Sequence, residues 1–114
     1  MTDSSHLSIR ARTLIESADA VLFSAASIWE IAIKAQLRRI DFAVAPREIA
    51  QAAVLAGFRE LPVDVVSAAT VAELPLYHRD PFDRLLVAQA VALTTRFLTA
   101  DATLRQYSDL VVVA

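Results

Sequence analysis

An α/β fold with a mostly parallel sheet is predicted by three observations. Short apolar, often β-branched runs alternate with stretches of helical period; Pro46, Gly57, Asp64, Pro75 and Asp80 stand where such stretches start and stop; and no linker, repeat or low-complexity segment divides the 114 residues into a second domain. In folds of this kind ligands gather at the carboxyl ends of the strands. The residues that follow each strand candidate are therefore the first place to look for chemistry.

Taken in order, Leu7 to Ser17 carries Leu7, Ala11, Leu14 and Ile15 at helical spacing, and Ala20 to Ser24 reads as a short buried strand. Ser27 to Leu37 forms the next helix, with Ile28, Ile31 and Ala35 on one face and Trp29 and Ile33 widening the apolar sector. Trp29 is read as a helix-packing residue. Pro46 starts a helix as an N1 residue, and Gly57, the single glycine, falls where a left-handed residue ends it. Phe58 to Val63 is extended. Asp64 caps a helix running to about Glu73, which Pro75 ends, and Leu76 to Arg79 crosses to Asp80, the opening of the longest helix. The strand Arg96 to Thr99, a short helix Asp101 to Tyr107, and the strand Leu110 to Val113 complete the chain.

Composition narrows the function classes. Without cysteine the chain has no disulfide framework and no thiolate ligand or nucleophile, and a reducing cytoplasm is the expected compartment. One glycine rules out the Gly-rich phosphate loops of dinucleotide and P-loop proteins. Neither a signal-like start nor an apolar run long enough to span a bilayer is present, so no membrane role is expected. The net charge of −2 leaves any nucleic-acid contact to individual Arg and Lys side chains. His6 and His78 lack metal-ligand spacing and are read as solvated or as local hydrogen-bonders; no Ser-His-Asp arrangement exists.

Acidic residues at element ends carry the functional signal. Asp80 and Asp83 flank Pro81-Phe82 at the mouth of the longest helix, Asp101 follows Leu98-Thr99-Ala100, and Glu30 follows the strand ending at Ser24. Each has a local explanation as well. Asp80 suits an N-cap, Asp83 a first turn, Ser27 and Glu30 a capping box, and Asp101 the cap of the helix after it. Three strand–helix junctions that each bear an acid where an α/β sheet collects its ligands nevertheless suit a hard divalent cation better than three unrelated caps.

The motifs resemble those of PIN-domain proteins, and within them the VapC-type toxin ribonucleases of toxin–antitoxin pairs. Ser24-Ala25-Ala26-Ser27-Ile28-Trp29-Glu30-Ile31-Ala32-Ile33-Lys34 is similar to the segment around that group's second acid, Asp80-Pro81-Phe82-Asp83-Arg84-Leu85-Leu86 to its third-acid helix, and Phe97-Leu98-Thr99-Ala100-Asp101 to the strand leading to its fourth. The resemblance implies a three-layer α/β/α domain spanning residues 1–114. It also implies metal-dependent hydrolysis of RNA with Mg²⁺ or Mn²⁺, in which Glu30, Asp83 and Asp101 are the catalytic and metal-binding acids, supported by Thr99 and Asp80. Arg84, Arg79 and Lys34 are the candidate phosphate contacts. A VapB-like antitoxin and a homodimer are the implied partners, with Ile28, Trp29, Ile33 and Leu37 as candidate contact residues.

The departure lies at the start. PIN domains of this group open with a central strand running into the first metal-binding Asp, which Met1 to Ser8 does not match; Asp3, with no apolar strand before it, is not a replacement. We expect a reading frame that begins upstream of Met1, neighbouring strands left without a partner, and RNA cleavage that is weak or absent in this chain and restored with the missing strand. The alternative is a catalytically dead PIN-like module that keeps the antitoxin-binding or dimer surface.

Overall fold

The computed structural model describes residues 8–38 and 45–114. The readings of Asp3, His6 and Leu7 lie outside the described residues. Helix α1 (Ile9–Ser17) begins at Ser8, whose hydroxyl accepts the amide of Ala11 at 3.0 Å and so satisfies one of the donors that a helix start leaves free. Its Arg10 donates through Nη1 to the carbonyl of Val113 at 3.0 Å, tying the first described element to the last.

Strand β1 (Leu22–Ser24) runs directly into α2 (Ala25–Arg38), which starts before Ser27. The strand's own last residue supplies the cap: the Ser24 hydroxyl accepts the amide of Ala26 at 3.1 Å. This overturns the capping box expected of Ser27 and Glu30, since Ser27 already lies inside the helix. The Glu30 carboxylate pairs instead with Lys34 one turn on, at 3.3 Å.

Helix α3 (Pro46–Leu55) has Pro46 in its first turn and ends as its glycine predicts. Gly57 adopts φ 95°, its amide bonds the Val54 carbonyl and the amide of Phe58 reaches back to Ala53, both at 3.0 Å, the paired bonds of a Schellman ending. Beyond strand β2 (Arg59–Leu61), Asp64 accepts the amide of Ser67 at 2.7 Å and caps α4 (Val65–Thr70), which tightens into a 3-10 turn over Val71–Glu73. Two hydrogen bonds from Ser67 hold the Asp64 carboxyl below its ordinary pKa of 3.8, the one from the backbone being the larger influence.

Asp80 and Pro81 then open α5 (Pro81–Leu93), followed by β3 (Phe97–Thr99), a 3-10 helix over Ala102–Tyr107, and β4 (Val111–Val113). The ending of α5 repeats the Schellman geometry without a glycine. Thr94 sits at φ 52°, its amide bonded to Val91 at 3.2 Å and that of Thr95 to Ala90 at 3.0 Å.

Both strand pairings are parallel, as expected, but they form two sheets rather than one. In the first, Leu22, Phe23 and Ser24 of β1 face Arg59, Glu60 and Leu61 of β2; in the second, Phe97, Leu98 and Thr99 of β3 face Val111, Val112 and Val113 of β4. Among the described residues no strand joins β1 to β3. That corrects the expectation of a single central sheet.

Helix α5 links the two halves. Buried Val87, Leu104 and Val111, with Leu74, Phe97 and Tyr107 packed on them, form an apolar core between α5, the 3-10 helix and the β3–β4 pair. On the other side α5 buries Gln89, which accepts from the Ser24 hydroxyl of β1 and donates through Nε2 to the Pro62 carbonyl beyond β2 at 3.2 Å. Among the described residues no helix is long and apolar enough to cross a membrane.

Candidate metal centre

The mouth of α5 is built by a proline and a cap. Pro81 fixes the first helical residue, while Asp80 Oδ1 accepts the amides of Phe82 at 2.8 Å and of Asp83 at 3.3 Å. This is the helix-end role that Asp80 was expected to fill. With its own amide held in this way, Asp83 projects from the first turn, and its Oδ2 lies 2.8 Å from Nε2 of His78.

His78 lies just before the Asp80 cap, within reach of Asp83. Its backbone amide donates to the Tyr107 hydroxyl at 2.9 Å, and the Tyr107 ring packs against Tyr77 at a centroid distance of 5.2 Å, so the histidine is anchored from the 3-10 helix. It is a local hydrogen-bonder, as its isolation in the sequence suggested. What spacing did not reveal is that its partner is one of the candidate metal ligands.

Asp101 arrives from the other direction, just past the carboxyl end of β3. The Thr99 hydroxyl accepts the Asp101 amide at 3.1 Å, so Thr99 orients the backbone that carries the acid. Asp101 Oδ1 accepts both the Thr103 amide, at 2.9 Å, and the Thr103 hydroxyl, at 2.6 Å, which leaves Oδ2 turned to His78 Nε2 at 3.9 Å. The Thr103 hydroxyl chiefly, then its amide, with the neighbouring His78 adding to them, keep the Asp101 carboxyl below its ordinary pKa against a weaker opposing effect of desolvation.

One donor atom each from His78, Asp83 and Asp101 thus lie within 4.8 Å of one another, all three residues half-buried. A carboxylate pair with an imidazole suits a divalent ion, so these donors fit the metal that the acid pattern called for. Among the described residues Glu30 is outside this cluster, its side chain 13% exposed and held to Lys34. The cationic candidates divide. Arg79 is exposed and Lys34 is half-exposed, whereas Arg84 Nη2 donates to the carbonyls of Val71 at 3.1 Å and Leu74 at 3.0 Å. Arg84 joins the end of the α4 segment to α5, and that nitrogen is not free for a phosphate. Trp29, expected to be packed, is 59% exposed and touches Phe82 edge-on at 5.1 Å between ring centroids.

A family profile described as PIN domain matches residues 1–110. The chain belongs to the PIN domain family. PIN domains are generally nucleases that use divalent metal ions, and this one carries its clustered acids at the carboxyl end of β3 and the mouth of α5, where the α/β architecture collects ligands. No curated protein and no solved structure matches the chain.

Proposed function

We propose that this PIN domain is a metal-dependent endoribonuclease of the VapC type, hydrolysing RNA phosphodiester bonds as the toxin of a toxin–antitoxin pair. The observation that carries the nuclease reading is the meeting of Asp83 and Asp101, remote in sequence, in one half-buried cluster. Two carboxylates at such range repel each other unless a cation or a proton lies between them. A bound Mg²⁺ or Mn²⁺ would activate a water and offset the charge that grows on the phosphate.

The protein's own groups supply the rest. Asp83 and Asp101 hold the ion, Thr99 and Thr103 orient Asp101, and Asp80 fixes the turn that presents Asp83. Glu30 is the third acid of the proposal, acting directly or through a water. Arg79 and Lys34, which keep exposure, are the phosphate contacts, and each positions the backbone without reading sequence. Exposed Trp29 and Leu37 on α2 support an apolar partner such as a VapB-like antitoxin helix or a second copy of the chain.

Cleavage of a labelled single-stranded RNA by the purified protein, with Mg²⁺ or Mn²⁺ and again with excess chelator, tests the proposal. Weak, metal-dependent endonucleolytic products are expected. Asp83→Asn and Asp101→Asn should each reduce their rate by about a hundredfold or more, as losing several kcal/mol of charge stabilisation requires. Cleavage that persists in chelator, or at an unchanged rate in both variants, would contradict it.

A further inference from the structure

The cluster contains a group that a purely acidic site would lack. His78 Nε2 lies 2.8 Å from Asp83 Oδ2 and 3.9 Å from Asp101 Oδ2, making the imidazole the member that faces both carboxylates. Ligand atoms about 2.1 Å from a shared ion stand about 3 Å apart in neighbouring octahedral positions and about 4.2 Å apart in opposite ones. Both His78 separations fall close to that range and the donor atoms of the two acids lie within 4.8 Å of each other, so rotation of the acid side chains would bring all three donors to one ion.

We propose that His78 is a direct metal ligand, and that its imidazole makes the centre prefer a first-row transition ion, with Mn²⁺ bound ahead of Mg²⁺. The proposal rests on the reading of Asp83 and Asp101 as a metal site and adds to it the class of ion. Mg²⁺ takes oxygen ligands and gives up its water reluctantly, whereas first-row transition ions accept imidazole readily. The 2.8 Å hydrogen bond to Asp83 needs a proton between the two groups; an ion would displace that proton to solvent, leaving a neutral imidazole, protonated on Nδ1, whose Nε2 lone pair can bind it. The Tyr107 hydroxyl on the His78 amide and the Tyr77–Tyr107 ring contact hold the backbone in place, so little ordering remains for the ion to impose. An alternative role, in which His78 merely orients Asp83 from outside the coordination sphere, makes a different prediction. It would leave the relative affinity for the two ions unchanged.

The test uses the full chain, titrated calorimetrically with Mn²⁺ and with Mg²⁺ and examined with Mn²⁺ bound by pulsed electron paramagnetic resonance, beside His78→Gln and Asp83→Asn. Wild type should show nitrogen coupling to the bound Mn²⁺. His78→Gln should lose that coupling and weaken Mn²⁺ by roughly ten- to a hundredfold while changing Mg²⁺ far less, its circular dichroism remaining that of wild type. Bound Mn²⁺ without nitrogen coupling, or equal weakening of both ions in His78→Gln, overturns the role of His78 alone. Failure of the wild type to bind either ion, or binding unaffected by Asp83→Asn, overturns the metal-site reading beneath it as well.

Discussion

At the scale of single residues, the polar groups of this protein divide into those that hold the fold and those left facing a site. Ser24 and Gln89 belong to the first kind, 7% and 2% exposed and bonded to each other across the interior. Gln89→Leu strands the Ser24 hydroxyl and the Pro62 carbonyl, and should cost about 1–3 kcal/mol in urea unfolding. Ser24→Ala made in the same chain should recover part of that loss, and simple additivity of the two single changes would refute the pairing. Asp64 gives a pH dependence. Its carboxyl holds its charge to lower pH in the folded protein than in an unfolded chain, so its contribution is complete above pH 3.8 and is lost as the pH falls through the depressed folded value. Thermal melts should show Asp64→Asn flattening the acid limb below pH 3.8 relative to wild type. Asp64 and Asp80 were both legible as caps from sequence, because a cap is a local event. The His78–Asp83 bond was not, since it depends on the path of the irregular segment before α5 and on Tyr107 from a later element.

At the scale of elements, the helix ends show how far local chemistry carries. Gly57 announced the close of α3, and the Schellman bonds appear where it stands. Thr94 gave no such sign, because a β-branched residue is a poor occupant of the left-handed region and only its surroundings hold it at φ 52°. Thr94→Gly should accordingly stabilise the protein by about 1 kcal/mol, read as a higher midpoint in chemical denaturation. No gain would mean that the Thr94 side chain offsets its backbone strain. The start of α2 was misplaced for a related reason. Ser27 offers the right side chain for a cap, but Ser24 reaches the helix first, and a strand that passes into a helix without a loop leaves no punctuation to read.

At the scale of the whole molecule, the alternation of strand and helix periods was enough to foresee the α/β class and the parallel pairings, since both follow from short-range pattern. The division into two sheets, and the convergence of Asp83 with Asp101, are set by packing around α5 and lie beyond what periodicity encodes. That packing is concentrated in a small core. Leu104, 1% exposed against Val87 and Val111, supports the 3-10 helix that Asp101 caps, so Leu104→Ala should cost about 2–5 kcal/mol of stability. A loss of this size is a large share of the roughly 5–15 kcal/mol that stabilises a typical domain. Metal affinity should fall with it, because Asp101 and the Tyr107 that anchors His78 both ride on that element. The central claim, that the acids of α5 and the end of β3 form one metal centre, is tested most directly by anomalous diffraction from crystals grown with Mn²⁺. The account predicts an anomalous peak within bonding distance of both Asp83 and Asp101. An ordered Mn²⁺ elsewhere on the protein, with none between these two carboxylates, would contradict it.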